Sequence, residues 1–348
     1  MLIGPTRARI TRALVGFGIV VAVAACGTAT TSPQPSAGSP VPDAPLAQEL
    51  TTAVSTAAAM THLQALQKIA DENGGNRAAG TRGYEASVEY VAGVLRGAGF
   101  EATTPTYTAE NEDGASATGR NVVAQTRTGD PGRTVVIGAH LDSVPEGPGI
   151  VDNGSGVATL LEIATRLGAD PAVENSVRFA FFGGEEDGAV GSTAYVEGLS
   201  SGDRKKIKLY LNVDMVASPN GGYLVQGGVG DDEEAAGPAG SATVGRALAD
   251  QLTKVGATAP EIIEFVGDDE SAFVEAGIPA GGAENGDAKR KTAQQAQSWG
   301  GEAGQKYDRC YHQACDRIDN VNQEVLGHYL KAIARTLANL AASTGDVR

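Results

Sequence analysis

Apolar residues in the middle of the chain fall into short runs parted by amphipathic stretches. RTVVIGAH (133–140), SVRFAFFGG (176–184) and IKLYLNVDM (207–215) are β-branched or aromatic runs that close on glycine or polar residues, as buried strands do. Ser155–Leu167, between the first two, has helical spacing. Upstream, Leu46–Asn73 reads as one helix stopped by Gly74-Gly75, and Tyr84–Gly97 as a second, with Tyr84, Val88, Val91 and Leu95 on one face. Gln323–Ala341 is an amphipathic C-terminal helix bearing Val325, Leu326, Tyr329, Leu330, Ile333 and Leu337. Strand–helix alternation predicts an α/β fold: a single three-layer α/β/α domain over residues 46–345, with a mixed, largely parallel central sheet covered on both faces. At 348 residues and 41% apolar content the chain can bury such a core.

The N-terminus follows a different pattern. Arg7, Arg9 and Arg12 precede LVGFGIVVAVAA, an apolar run too short to span a bilayer, which has the form of a signal peptide. It ends in Val23-Ala24-Ala25-Cys26, similar to the bacterial lipobox. Residues 1–25 therefore read as a lipoprotein signal peptide, and Cys26 as the lipidated residue. Residues 26–45, rich in Pro, Ser and Thr, read as a flexible tether. The expectation is an exported protein held on the outer face of the cell membrane by its lipid alone, with some released.

Charge narrows the partners. The formal net charge of −15 becomes −18 once the three arginines of the signal segment leave. A surface this acidic argues against nucleic acid as a partner. Beyond Cys26 the only cysteines are Cys310 and Cys315, which flank Tyr311-His312-Gln313-Ala314. In an oxidising compartment they read as a local disulfide that holds a histidine in place.

Candidate chemistry gathers where the apolar runs stop. His140 ends the first, Glu185-Glu186 follow the second, and Asp214 closes the third. Ligands of open α/β sheets sit beyond the carboxyl ends of the strands, so these residues are expected at one rim. The segment AHLDSVPEGPGIVDNGSG (139–156) adds Asp142 and Asp152 and holds too much glycine to pack as strand or helix. Singly, each residue has a bland reading. Asp152 could cap the helix near Ser155, Glu185-Glu186 could be a hydrated pair, and His312 a loop histidine. Jointly, two histidines and three carboxylates at strand ends match a two-zinc hydrolytic site.

The stretches NGGNRAAGTRGYEASVEYV, GAHLDSV with GPGIVDNGSG, FFGGEEDGAVGS, YLNVDMVASPN, AGIPAGG and QSWGGEAGQKYDRCYHQACDRIDN resemble the M28 family of zinc peptidases, in particular its short secreted bacterial aminopeptidases. They run in family order from about residue 47 to the end. The resemblance implies two Zn2+ per chain, one held by His140 and Asp214, the other by Glu186 and His312, with Asp152 bridging. It implies Glu185 as general base, Asp142 orienting His140, and Tyr311 donating to the oxyanion. It also implies a peptide substrate with a free N-terminus, whose ammonium group Glu185 and Asp214 share, and a monomeric chain. The glycines of 139–156 would then let a loosely packed floor turn around two cations.

Two stretches depart from the family. Where it has an SDH-type motif, this chain reads GDDESAF (267–273): Asp269 is in register, and Asp268 and Glu270 are extra acids. After AGIPAGG, Ala283-Glu284-Asn285 stands where relatives carry an aromatic near the pocket wall. Glu284, with Asp268 or Glu270, is expected to make the substrate pocket acidic and favour N-terminal Lys or Arg, with Met215 and Asp269 completing the substrate-binding set. Three other readings compete. A non-catalytic binding lipoprotein predicts a lost ligand or base, yet all six positions are filled. A one-zinc glutaminyl cyclase is disfavoured by two complete ligand pairs. A carboxypeptidase needs cations for the substrate carboxylate, and Lys289-Arg290-Lys291 is the one basic run nearby.

Overall fold

The computed structural model describes residues 43–110, 116–229 and 236–345, so Cys26 and most of the expected tether lie outside the described residues. The strands are β1 (Ala102–Thr103), β2 (Thr106–Glu110), β3 (Ser116–Arg120), β4 (Val122–Gln125), β5 (Asp130–His140), β6 (Asn175–Phe182), β7 (Ile207–Val213), β8 (Leu224–Gln226), β9 (Glu261–Ile263) and β10 (Ala280–Glu284). The helices are α1 (Pro45–Ala53), α2 (Thr56–Glu72), α3 (Arg82–Gly97), α4 (Gly154–Leu167), α5 (Val190–Gly198), α6 (Ser201–Lys206), α7 (Ser241–Lys254), α8 (Glu270–Glu275), α9 (Ala293–Trp299) and α10 (Gln323–Ala342).

Eight strands form one mixed sheet in the order β1-β4-β6-β5-β7-β10-β8-β9, and β2 pairs with β3 in a separate hairpin. The four central strands β6-β5-β7-β10 run parallel. Their residues alternate between two apolar layers, which is why the runs looked continuously apolar. Val135, Ile137, Phe179, Phe181, Leu209 and Leu211 join the large cluster built with α1–α4, α7 and α10. Val136, Ala180, Phe182 and Tyr210 join a smaller one with Val196 of α5 and Phe273 of α8. The three-layer expectation holds. Among the described residues no helix is long and apolar enough to cross a membrane.

Register carries the chemistry to one edge. His140 pairs with Phe182, Gly138 with Asn212, and Ala283 with Val213. The ends of β5, β6, β7 and β10 are therefore level, and the loops after them meet at one rim.

One predicted element breaks in two. Leu46–Asn73 is interrupted at Val54 and Ser55, both extended. Packing overrides local propensity there. α1 lies along α10, α2 lies on α4, and the Ser55 N–H donates to the buried Glu162 carboxylate at 2.8 Å. Smaller differences are an earlier start for α3, where Thr81 caps the Tyr84 N–H, and for β5, which begins at Asp130.

The segment 139–156 is also tighter than its glycine content suggested, being buried except around Val144–Glu146. A guanidinium does the work that secondary structure does elsewhere. Arg77, fully buried between α2 and α3, donates to the carbonyls of Pro148 (2.9 Å), Gly149 (2.6 Å) and Leu141, and its N–H donates to Ser143 Oγ at 2.9 Å. Gly149 is needed where it stands: its φ is +61°, and a Cβ there would lie 2.3 Å from the Asp152 carbonyl oxygen. Replacing Arg77 by Met leaves buried carbonyls without donors, at about 1–3 kcal/mol each. Urea unfolding of Arg77→Met is expected to show a loss of about 3 kcal/mol or more; a loss under about 1 kcal/mol would mean that other contacts hold the loop.

Candidate metal centre

Two groups of ligand atoms form at the rim. His140, Asp152 and Asp214 make the first, and Asp152, Glu186 and His312 the second. His140 Nε2 faces Asp152 Oδ1 at 3.2 Å and Asp214 Oδ1 at 3.3 Å. His312 Nε2 faces Asp152 Oδ2 at 3.2 Å and Glu186 Oε2 at 3.0 Å. Asp152 thus offers one oxygen to each histidine–carboxylate pair, the geometry of a bridging ligand.

Each side chain is placed by its element. His140 is the last residue of β5, and Asp214 follows β7 with its N–H donated to the Ala283 carbonyl at 3.0 Å. Asp152 precedes Asn153, the N-cap of α4, across a cis peptide bond. Its N–H and that of Val151 donate to the Asp316 carboxylate at 3.0 and 2.8 Å. Asp142 accepts the N–H groups of Glu185 and Glu186 at 3.2 and 3.3 Å. Its oxygen lies 3.7 Å from His140 Nδ1, longer than a hydrogen bond, so its main contacts are with the Glu185-Glu186 turn. Cys310 and Cys315 form the expected disulfide, and between them the rings of Tyr311 and His312 stack with centroids 3.8 Å apart.

These atoms fit cations and little else. Both His140 nitrogens, Glu186 Oε1 and Asp214 Oδ1 are buried without hydrogen-bond partners. Burial pushes the Glu185 carboxyl well above its usual range, with Asp269 and Asp214 adding to the effect. Burial and Asp152 push Glu186 to about 7. Asp152 goes the other way: burial would raise it, but hydrogen bonds to His140 and His312 hold it below the usual carboxylate range. Hydrogen bonds to Asp152 and Glu186 raise His312 to about 10. A site that strains to protonate its acids and histidines is short of positive charge.

A cleft of about 70 Å³ is lined by Glu185, Met215, Val266, Asp268, Glu284, Asp287 and Tyr311 beside Asp152, Glu186, Asp214 and His312. Asp268, Glu284 and Met215, expected from sequence in the substrate-binding set, line this cleft. Asp269 and Glu270 are not on this wall. Both are buried, and Glu270 accepts the N–H groups of Gly267 and Asp268 at 3.1 and 3.3 Å, so it shapes the turn from behind. The basic run is occupied as well. Lys291 is buried and donates to the carbonyls of Gly221 and Gly300, Arg290 donates to Gly304, and Lys289 lies 3.8 Å from Asp287. Arg77 and Asp316 lie inside the family stretches NGGNRAAGTRGYEASVEYV and CDRIDN but have no role assigned from sequence, and Asp287 and Gln226 lie in none of those stretches.

The model of peptidase family M28 matches residues 121–337. Leupeptin-inactivating enzyme 1 of Streptomyces exfoliatus is 40% identical, over 95% of this chain and 68% of its own length. A Mycobacterium tuberculosis protein named "Probable lipoprotein aminopeptidase LpqL" is 33% identical, over 92% of each chain. Two solved structures share the fold. A zinc aminopeptidase from Bacillus subtilis covers 84% of this chain and 97% of its own, with TM-score 0.68 at 17% identity. The glutaminyl cyclase of Porphyromonas gingivalis covers 82% and 98%, with TM-score 0.64 at 21% identity. Sequence match and rim geometry meet on one conclusion: the chain belongs to peptidase family M28 and is a zinc peptidase hydrolase.

Proposed function

We propose that this peptidase is a di-zinc aminopeptidase that releases N-terminal residues from peptides. The observation that carries the reading is Asp152, whose two oxygens face separate histidine–carboxylate pairs. His140, Asp214 and Asp152 would hold one ion, and Glu186, His312 and Asp152 the other. Zinc in those positions supplies Lewis acidity to the scissile carbonyl and lowers the pKa of a water to about 7. Glu185 is the general base: its carboxylate takes a proton from the attacking water and returns it to the leaving amine nitrogen. Burial raises its proton affinity, which suits a group that must hold the proton between the two steps. Asp142, accepting both N–H groups of the Glu185-Glu186 turn, fixes the base in place. Tyr311, stacked on His312 and pinned by the disulfide, donates its hydroxyl to the oxyanion, a role worth roughly a hundredfold in rate. Glu185 and Asp214 share the substrate's ammonium group.

The same reading includes a preference for basic N-terminal residues, supported by Asp268 and Glu284 on the cleft wall. Its cellular side is an exported lipoprotein anchored through Cys26, with the domain at the end of a short tether. That part is supported by the signal segment and by the printed name of the mycobacterial relative.

Protein lacking residues 1–26 is expected to contain about two zinc per chain and to cleave free aminoacyl p-nitroanilides but not their N-acetylated forms, with activity lost to a chelator. Absence of stoichiometric metal would overturn the reading. Glu185→Gln should lower kcat by roughly 10²–10⁴ with metal content unchanged; near-full activity would remove Glu185 as the base. Glu284→Ala should cut kcat/KM for Lys and Arg substrates at least about tenfold relative to Leu, since opposite charges attract strongly out of water. An unchanged ratio would remove the basic preference.

A further inference from the structure

Gln226 belongs to none of the motifs that define the family resemblance, yet it lies under the cleft wall and touches both acids there. On β7, β10 and β8, Asn212, Gly282 and Gln226 stand side by side in register. The Gln226 side chain crosses over Gly282, where a Cβ would lie 3.2 Å from its Oε1 and 3.3 Å from its Cδ. Its Nε2 reaches Asp268 Oδ2 at 2.9 Å and Glu284 Oε2 at 3.3 Å. Asn212 Nδ2 stands 3.5 Å from the same Asp268 oxygen, and its Oδ1 accepts from the Tyr210 hydroxyl at 2.8 Å. The Tyr329 hydroxyl, from α10, donates to the Glu284 carbonyl.

We propose that Gln226 is a positioning residue for substrate selectivity, holding Asp268 and Glu284 as a two-carboxylate cradle for the ammonium or guanidinium of an N-terminal Lys or Arg. The proposal rests on the aminopeptidase reading above and specifies how its cleft chooses among substrates.

Three observations converge on a missing cation. Both carboxylates line the cleft, and among the described residues no ion pair reaches either one. Amide donors cannot compensate a half-buried Asp268 and a buried Glu284: desolvation with Glu270 and Asp214 nearby pushes Asp268 well above its usual range, and desolvation with Asp214 and Asp287 nearby pushes Glu284 to about 7. Oε1 of Gln226 and Oε2 of Glu270, both on fully buried residues of the same polar patch, also lack partners. The wall around them suits a long basic side chain, since Met215 and Val266 offer apolar surface for its methylenes. A site built around a charge rejects the neutral isostere far more strongly than it rejects a lost methylene, because its own polar groups are then left unpaired.

The test compares p-nitroanilides of lysine with norleucine, and of arginine with citrulline, with leucine as reference. Wild-type protein should prefer each charged member of a pair at least about a hundredfold in kcat/KM. Gln226→Leu should raise KM for Lys and Arg at least about tenfold with kcat within about threefold, leaving leucine and norleucine within about twofold. Gly282→Ala alters no charge, and the atoms nearest its new Cβ belong to the Gln226 and Asn212 side chains, so it should erode the Lys preference in the same direction. It decides the matter even where Gln226→Leu does not fold. Equal turnover of Lys and norleucine by wild-type protein would overturn the cradle and leave the aminopeptidase standing. So would equal losses for all substrates in both variants. No turnover of any free-amine substrate would overturn the aminopeptidase reading, and the cradle with it.

Discussion

Everything at the rim depends on where one carboxylate, Asp152, points its two oxygens. Each must face a histidine from a different part of the chain, His140 at the end of β5 and His312 between the paired cysteines. A carboxylate on a short side chain reaches both only if the backbone beneath it is fixed. Asp316 holds the peptide N–H groups at Val151 and Asp152, Asn153 caps α4, and Arg77 ties down the carbonyls of the preceding turn. Fixing a glycine-rich segment in this way replaces the ladder hydrogen bonds that a strand would have given it. The site's backbone is satisfied by side chains from two distant segments, Arg77 and Asp316, together with its own Asn153.

That rigidity has an electrostatic consequence. Seven carboxylates line one small cleft, and the only cationic candidates among its lining residues are the histidine of the second ligand group and whatever enters from solution. Acids held this close and this deep cannot all be ionised on their own. Two kinds of positive charge relieve the strain in different places. On the proposed reading, metal ions would answer the acids at the strand ends, where oxygens and imidazole nitrogens converge, and a substrate cation would answer those on the wall, where amide donors converge instead of imidazoles.

Legibility in the sequence follows the same physics. His140, Glu185, Glu186 and Asp214 were readable because a polar residue closing an apolar strand is costly without a reason, and strand ends in an α/β sheet share a rim. His312 was readable because a close cysteine pair holds it in place, whereas Tyr311 was legible only through the family resemblance. The break at Val54-Ser55 was not, since no glycine or proline announces it and the cause is a carboxylate 107 residues away. Arg77 and Gln226 were hidden for a similar reason. Each acts through groups remote in sequence. Asp268 and Glu270 show the limit of spacing arguments. Two residues apart in one turn, the first faces the cleft and the second folds back onto the turn's own N–H groups.

The fold itself does not decide which reaction runs at its rim; the side chains on the rim do. The proposed roles separate the two tasks in space. On the proposed reading, residues at the carboxyl ends of β5, β6 and β7 would serve the scissile bond. On the same reading, Gln226 of β8, Glu284 of β10 and Asp268 in the turn before α8 would serve the substrate's first side chain. β10 joins the two halves. Ala283 accepts the N–H of Asp214 while its neighbour Glu284 faces the cradle, so a shift of one strand would move a metal ligand and a selectivity residue together. Selectivity can then change by substitution at 226, 268 or 284 with the chemistry intact. Substitutions that displace the β10 backbone, by contrast, should disturb both at once.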